Sequence, residues 1–371
     1  MKQCKKEMMI MKRNLLTFIC GISLVCAFWS CKNGDIDFPD YEKGTTVYFP
    51  YQYPVRTIVL GDDEYDLTYD HAKKCQIMAT FGGSYNGSNG SVQVAVDESL
   101  VNNLTFEDGT PVKVMPSSFY TLSTTTLSFN GTMNGATEVQ LTQDFFNDPD
   151  AVKNTYVIPL VMMSQTGFGK ILTGELAEET PNPARCNDLL WNVQPKDYVL
   201  YCVKFQNKYS GWWLTNGTTS TANIENASTV QVKTKSENSC IYTVTRTRSY
   251  MAQAFDEDGL PVLDEEGNEV FNEEQHVFNV DLLLTFDGSE NCTITSLTDG
   301  ITASGTGSWG DNTEKKAWGN KDRDGMELNY TIDFGVDDAG NAIQKDATHE
   351  KMVWQRSGVV IEEFAPVYTG Q

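Results

Sequence analysis

The chain has 371 residues, with 50 Asp and Glu against 28 Lys and Arg, for a formal net charge of −22. A surface this acidic repels phosphate backbones, which excludes nucleic acid as a partner, while neutral ligands such as sugars stay compatible. At about 100–200 residues per domain the length fits two domains, each large enough for its own core.

Lys12 and Arg13 precede an uncharged run from Leu15 to Trp29. That run has the length of a secretory h-region and is short for a membrane-spanning helix. Translation is expected to start at Met11, because residues 1–10 add Lys2, Lys5, Lys6 and Glu7, charges that no signal peptide needs. The run ends in Phe28-Trp29-Ser30-Cys31. A small residue before a cysteine at this point resembles the lipobox of bacterial lipoproteins. The resemblance implies that residues 1–30 are a signal peptide, that Cys31 is lipidated, and that lipid chains hold the protein to a membrane. An ordinary secretory signal with a chance cysteine is the alternative. Residues 1–30 carry five Lys or Arg and one Glu, so their removal deepens the charge to −26. Residues 31–44 then read as a polar tether that opens Lys32-Asn33-Gly34-Asp35-Ile36-Asp37. Its early acids resemble the surface-export signal of Bacteroidetes lipoproteins, with a plain solvated leader as the alternative.

Beyond the tether, period-two alternation recurs and helical periodicity is scarce, which predicts an all-β protein. Val92-Gln93-Val94-Ala95-Val96-Asp97, Val230-Gln231-Val232-Lys233 and the run from Met326 to Phe334 all alternate. Such strands bury one face and wet the other. Between Thr45 and about Leu172 seven or eight short strands are expected, including Thr46–Phe49, Gln76–Thr80, Ser91–Asp97, Glu138–Thr142 and Tyr156–Met163. Their number and spacing suit an Ig-like β-sandwich over residues 45–175. One short helix is expected near Asp148 to Lys153. Residues 176–196 are poor in pattern, carry Pro181, Pro183 and Pro195, and read as a linker. Residues 197–371 hold about eight longer strands, consistent with a C-terminal β-barrel (calycin-like) or a second sandwich.

Three stretches carry a family resemblance: Val47-Tyr48-Phe49-Pro50-Tyr51-Gln52-Tyr53-Pro54-Val55-Arg56, Asn154-Thr155-Tyr156-Val157-Ile158-Pro159-Leu160, and Gln194-Pro195-Lys196-Asp197-Tyr198-Val199-Leu200-Tyr201. Together they resemble gut Bacteroidetes lipoproteins in which an Ig-like module, domain of unknown function 1735, precedes a companion module, number 5627. The resemblance implies a cell-surface accessory of a polysaccharide uptake system, placed on the outer membrane beside a transporter complex. It carries no catalytic motif.

Serine hydrolase, P-loop, dinucleotide-binding and zincin motifs are absent from the sequence. His71, His276 and His349 stand apart, with no metal-ligand spacing. No cofactor, metal centre or catalytic residue is expected. Asn320, Asp322, Asp324 and Gly325 match the first half of a calcium loop, but its twelfth position, Thr331, falls inside an alternating strand. Cys75, Cys186, Cys202, Cys240 and Cys292 are odd in number and widely spaced, which argues against a disulfide framework.

Tryptophan is the main functional signal. Beyond the signal segment, all six lie at or after Trp191, and sugar C–H faces pack well on such rings. Adjacent Trp212 and Trp213 must point to opposite faces of a strand, so one fills the core and the other needs a partner. Trp309-Gly310 and Trp318-Gly319 flank a polar loop that begins with Asp311. A glycan site is therefore expected at Trp212 or Trp213, Trp309 and Trp318, with Tyr209, Asn216, Asp311 and Asn320 as polar neighbours. The competing reading of each tryptophan is core packing. Two rival functions stay open: a docking lipoprotein that binds an envelope protein, and a glycoside hydrolase working through two carboxylates.

Overall fold

The computed structural model describes residues 40–63, 65–221, 223–224 and 228–370. Met11, the signal-like segment, Cys31 and the tether up to residue 39 lie outside the described residues. Strands make up 54 % of the structure and helices 5 %, so the chain is all-β.

The N-terminal unit is carried by β1 (Thr46–Tyr48), β2 (Pro54–Val59), β3 (Lys74–Gly82), β4 (Ser91–Val96), β5 (Tyr120–Leu122), β6 (Thr126–Ser128), β7 (Asn134–Leu141), β8 (Tyr156–Thr166), β9 (Lys170–Ile171) and β10 (Tyr198–Gln206). The C-terminal unit consists of β11 (Gly211–Thr218), β12 (Thr229–Ser236), β13 (Ser239–Gln253), β14 (Phe271–Phe286), β15 (Asn291–Ser296), β16 (Thr302–Trp318), β17 (Lys321–Asp333) and β18 (Asp346–Arg356). A last short strand, β19 (Glu362–Glu363), returns to the first unit.

One sandwich sheet runs β9-β1-β3-β7-β5 and the other β19-β2-β10-β8-β4-β6. Val47, Ile77, Phe81 and Val139 of the first sheet share a core with Ile58, Val94, Ile158 and Phe205 of the second. The second sheet is also covered on its outer face, where Val157, Val161, Leu200 and Cys202 pack on Leu104, Phe106, Val112 and Phe364. Burial on both faces explains why Tyr156 to Met162 is one unbroken apolar run, buried throughout, where a half-wet strand would alternate.

The sheet also draws in more chain than the sequence led one to expect. Tyr198–Gln206 pairs with β8 on one side and in parallel with β2 on the other, so it belongs to the sandwich; the C-terminal unit begins after it, not at residue 197. Tyr41 likewise already bonds to Gly83, inside the segment expected to be tether. The short helix lies at Gln143–Asn147, ahead of its expected place. Pro149 accounts for the shift, because a proline pushes the preceding residue, Asp148, out of helical conformation.

In the C-terminal unit, β11 to β18 pair antiparallel in chain order, and β18 closes onto β11 with Trp354 opposite Trp213. The result is an eight-stranded up-and-down barrel. Alternate residues such as Val280, Leu282, Leu284 and Phe286 fill its interior. Toward the end away from the sandwich the filling becomes polar. Asp346 pairs there with Arg246 and with Arg248 (2.8 Å), and Glu350 accepts from Tyr242 (2.8 Å) and Tyr330 (3.2 Å). All five cysteines among the described residues are buried free thiols. Burial pushes the Cys75, Cys202, Cys240 and Cys292 thiols up to about 12, far from reactive thiolates.

Candidate functional site

The barrel end that faces the sandwich is built on aromatic residues. Tyr209 stacks on Phe286 at 3.7 Å between centroids, and Trp309 meets Tyr209 edge-on at 5.6 Å. Glu290 ties this layer together, accepting from the Tyr209 hydroxyl (2.8 Å) and the Lys208 ammonium (2.6 Å). Lys208 Nζ lies 4.5 Å from the Trp309 ring centroid, close enough for a cation–π contact. Trp309 is half-buried, and its indole N–H is buried without an acceptor among the described residues.

After Gly310 the register of β16 against β17 shifts, and Asn312 takes a φ of +50°. The bulge turns the Asn312 N–H onto Asp324 Oδ1 (2.9 Å), while its side-chain amide donates to Asp311 Oδ1 (2.7 Å). The sandwich meets this edge through the loop after β2. A Cβ on Gly61 would fall 2.9 Å from Lys208 Cα, so glycine is what lets the two units approach. Gly61 also receives His71 at 3.0 Å through its carbonyl, and Lys73 pairs with Glu237 at 2.8 Å.

Between the two units lies a cleft of about 510 Å³, walled by Trp309, Asp311, Asn312, Asp324 and Lys208 from the barrel and by Asp62, His71 and Lys73 from the sandwich. Asp62, Asp311 and Asp324 each bring a carboxylate oxygen within 4.8 Å of the others. Asp324 is 5 % exposed, and burial, with Asp62 and Asp311 nearby, pushes its carboxyl up to about 6. Three carboxylates this close can accept from the hydroxyls of a diol, share a proton, or supply part of the oxygen shell of a hard cation.

Of the residues expected from sequence, Trp309 and Asp311 line this cleft, and Tyr209, 4 % exposed, supports the Trp309 ring from beneath. Trp213 is corrected: at 0 % exposure it is a core filler and cannot touch a ligand. Trp212 faces outward, its partner being the Arg356 guanidinium at 5.5 Å. Trp318 is 45 % exposed at a hairpin tip, and Asn320, with a φ of +58°, forms the turn of that hairpin with Gly319. Asn216 is exposed opposite Lys351 on the barrel wall. None of these four lines the cleft. Asp62, His71, Lys73, Lys208 and Asn312 had drawn no attention as ligand contacts, and Asp324 only as part of a calcium loop. The one local signal was the Trp-Gly pair opening a polar loop, which pointed at Asp311 and its neighbour.

Comparison with known proteins places this architecture. The chain resembles a crystallised Bacteroides ovatus protein of unknown function at 31 % identity, covering 89 % of this chain and 100 % of that one with a TM-score of 0.73. It belongs to the same family as that protein, a Bacteroidetes family of two-domain proteins of unknown function. Residues 208–358, the barrel, match the domain of unknown function DUF5627, and residues 41–169 match a family of N-terminal domains. A multidomain Bacteroides ovatus protein that includes DUF1735 is a remote likeness at 10 % identity, covering 86 % of this chain and 99 % of that one with a TM-score of 0.36. No curated protein matches the chain.

Proposed function

We propose that this protein is a glycan-binding accessory of a polysaccharide uptake system, held to the outer membrane by lipid on Cys31 and facing the cell exterior, with the cleft between sandwich and barrel as its binding site. The carrying observation is Trp309. Its ring is half-buried beside the cleft, and Asp311, Asn312 and Asp324 stand next to it as partners for hydroxyls. An aromatic face beside acids and amides is the chemistry that takes a sugar's C–H face and its hydroxyls together.

Affinity electrophoresis against host, plant and microbial polysaccharides tests this reading. Retardation by at least one polysaccharide, lost in Trp309→Ala with the fold intact, is the expected result. Absence of retardation across the whole panel would overturn it and turn attention to a protein partner such as the transporter complex.

A second reading, glycoside hydrolysis, is favoured by Asp324. A carboxyl with a pKa of about 6 beside carboxylates within 4.8 Å resembles an acid paired with an ionised partner. Release of reducing ends that vanishes in Asp324→Asn would establish it; unchanged polysaccharide after long incubation would remove it.

A further inference from the structure

The sandwich carries a second cleft, of about 680 Å³, between the loop after β4, the segment 173–197 and Tyr368. Its floor is set by Asp197, which is 2 % exposed and grips Arg185 through three contacts: Nε to Oδ1 at 3.1 Å, Nε to Oδ2 at 3.2 Å and Nη2 to Oδ2 at 3.2 Å. A guanidinium has five N–H donors in a fixed plane. Asp197 occupies the Nε–Nη2 edge, so the edge formed by Nη1 and the outer Nη2 hydrogen is left without a partner among the described residues. Asp197 thus both neutralises the arginine and fixes the plane of its remaining edge, which a second carboxylate can engage through two parallel hydrogen bonds.

The rest of the lining suits a polyhydroxylated molecule. Asn102, Asn103 and Asn182 line the cleft, and their side-chain amides make no hydrogen bond within the protein among the described residues. Trp191 adds a half-buried ring, anchored by its N–H on the Ala184 carbonyl at 3.1 Å. The two clefts differ in charge. The cleft at Trp309 gathers Asp62, Asp311 and Asp324, whereas here the single acid is already paired.

We infer that this cleft is a second saccharide site, selective for sugars that carry a carboxylate, with the free edge of Arg185 as the selecting group and Asn102, Asn103 and Asn182 as hydroxyl partners. The site stands on its own residues and does not depend on the Trp309 cleft.

Isothermal titration of the mature chain with short oligosaccharides of galacturonate, glucuronate and mannuronate, with sialyllactose, and with the methyl ester of trigalacturonate tests it. At least one acidic sugar should bind saturably. Where that sugar is trigalacturonate, its ester should bind at least tenfold more weakly. Arg185→Lys keeps a cation on Asp197 but loses the second edge, and should lower the affinity at least tenfold. Asn182→Asp breaks no internal bond and places a charge against the ligand, so it should do the same even if the arginine variant is poorly folded. Trp309→Ala should leave the acidic sugar's affinity unchanged. Failure of every acidic sugar to bind, equal affinity for acid and ester, or a loss that follows Trp309 and spares Asn182 would each overturn the inference.

Discussion

Sandwich and barrel reach similar burial by opposite routes. In the barrel each strand pairs with its neighbours in sequence, and one long-range contact, β11 with β18, closes the ring. In the sandwich the decisive pairings are distant: β2 lies parallel to β10, with Val55 opposite Cys202. They also bury charge differently. The sandwich keeps single pairs near its surface, such as Arg185 with Asp197, in which the arginine side chain remains 33 % exposed. The barrel encloses a whole layer, where the Asp346 side chain is 0 % exposed between Arg246 and Arg248 at 14 % and 4 %. Local pairing puts each barrel strand beside its neighbour in sequence; distant pairing hides that Tyr198–Gln206 belongs to the sandwich until its partner strand is known.

The sharpest way to break this comparison is Trp213→Ala. Removing a fully buried ring at the seam that closes the barrel should cost about 3–5 kcal/mol. Urea titration followed by near-ultraviolet circular dichroism should show one shifted transition for the whole chain. A barrel transition that moves while a sandwich transition stays put would show the two units to be independent.

Next in size is the contrast between the two buried acids. Asp346→Ala leaves two arginines inside the barrel unpaired and should cost about 3–5 kcal/mol. Asp197→Ala releases an arginine that can reach water, and should cost no more than about 2 kcal/mol. Equal losses in parallel thermal melts would show that enclosure is not what separates them.

A smaller and pH-dependent effect belongs to Asp324. Its carboxyl sits at about 6 in the folded protein, against an ordinary value of 3.8, so the folded state binds the extra proton between those values. Stability contributed by this group is greatest below pH 4 and falls as the pH rises through 6. Asp324→Asn should therefore stabilise the protein at pH 8 by up to about 2 kcal/mol and change little at pH 4. The opposite trend in melting temperature would mean that the carboxylate is compensated in the fold. Smallest is Trp318→Ala, at an exposed turn, expected to stay within about 0.5 kcal/mol in stability and to leave polysaccharide retardation unchanged.

How much of this was legible follows from the same contrast. The alternation from Met326 to Phe334 announced a strand with one buried face, and Met326, Leu328, Tyr330, Ile332 and Phe334 are all buried. The Trp212–Trp213 pair was legible as one inward and one outward ring. Their order was not, because it depends on the register against β18. The run from Tyr198 to Cys202 looked like the start of the second domain, since nothing local shows that β2, over 140 residues earlier, is its neighbour. The cleft was legible by half. Trp309 and Asp311 stand in a conspicuous stretch, but Asp62 comes from an acidic loop like many others. Only the approach of Gly61 to Lys208 brings it to the barrel.

The arrangement of β10, β2 and β19 has one more consequence. The chain leaves the sandwich from β10 and returns to it at β19, and both strands flank β2 in the same sheet. Both ends of the barrel are thus stitched to strands of one sheet that lie two strand spacings apart, about 10 Å across the sheet. In effect the barrel is a cassette inserted in the sandwich, the kind of junction that tolerates exchange because both splice points lie close together. A different insert could ride on the same platform without disturbing its core, leaving the platform's own cleft in place.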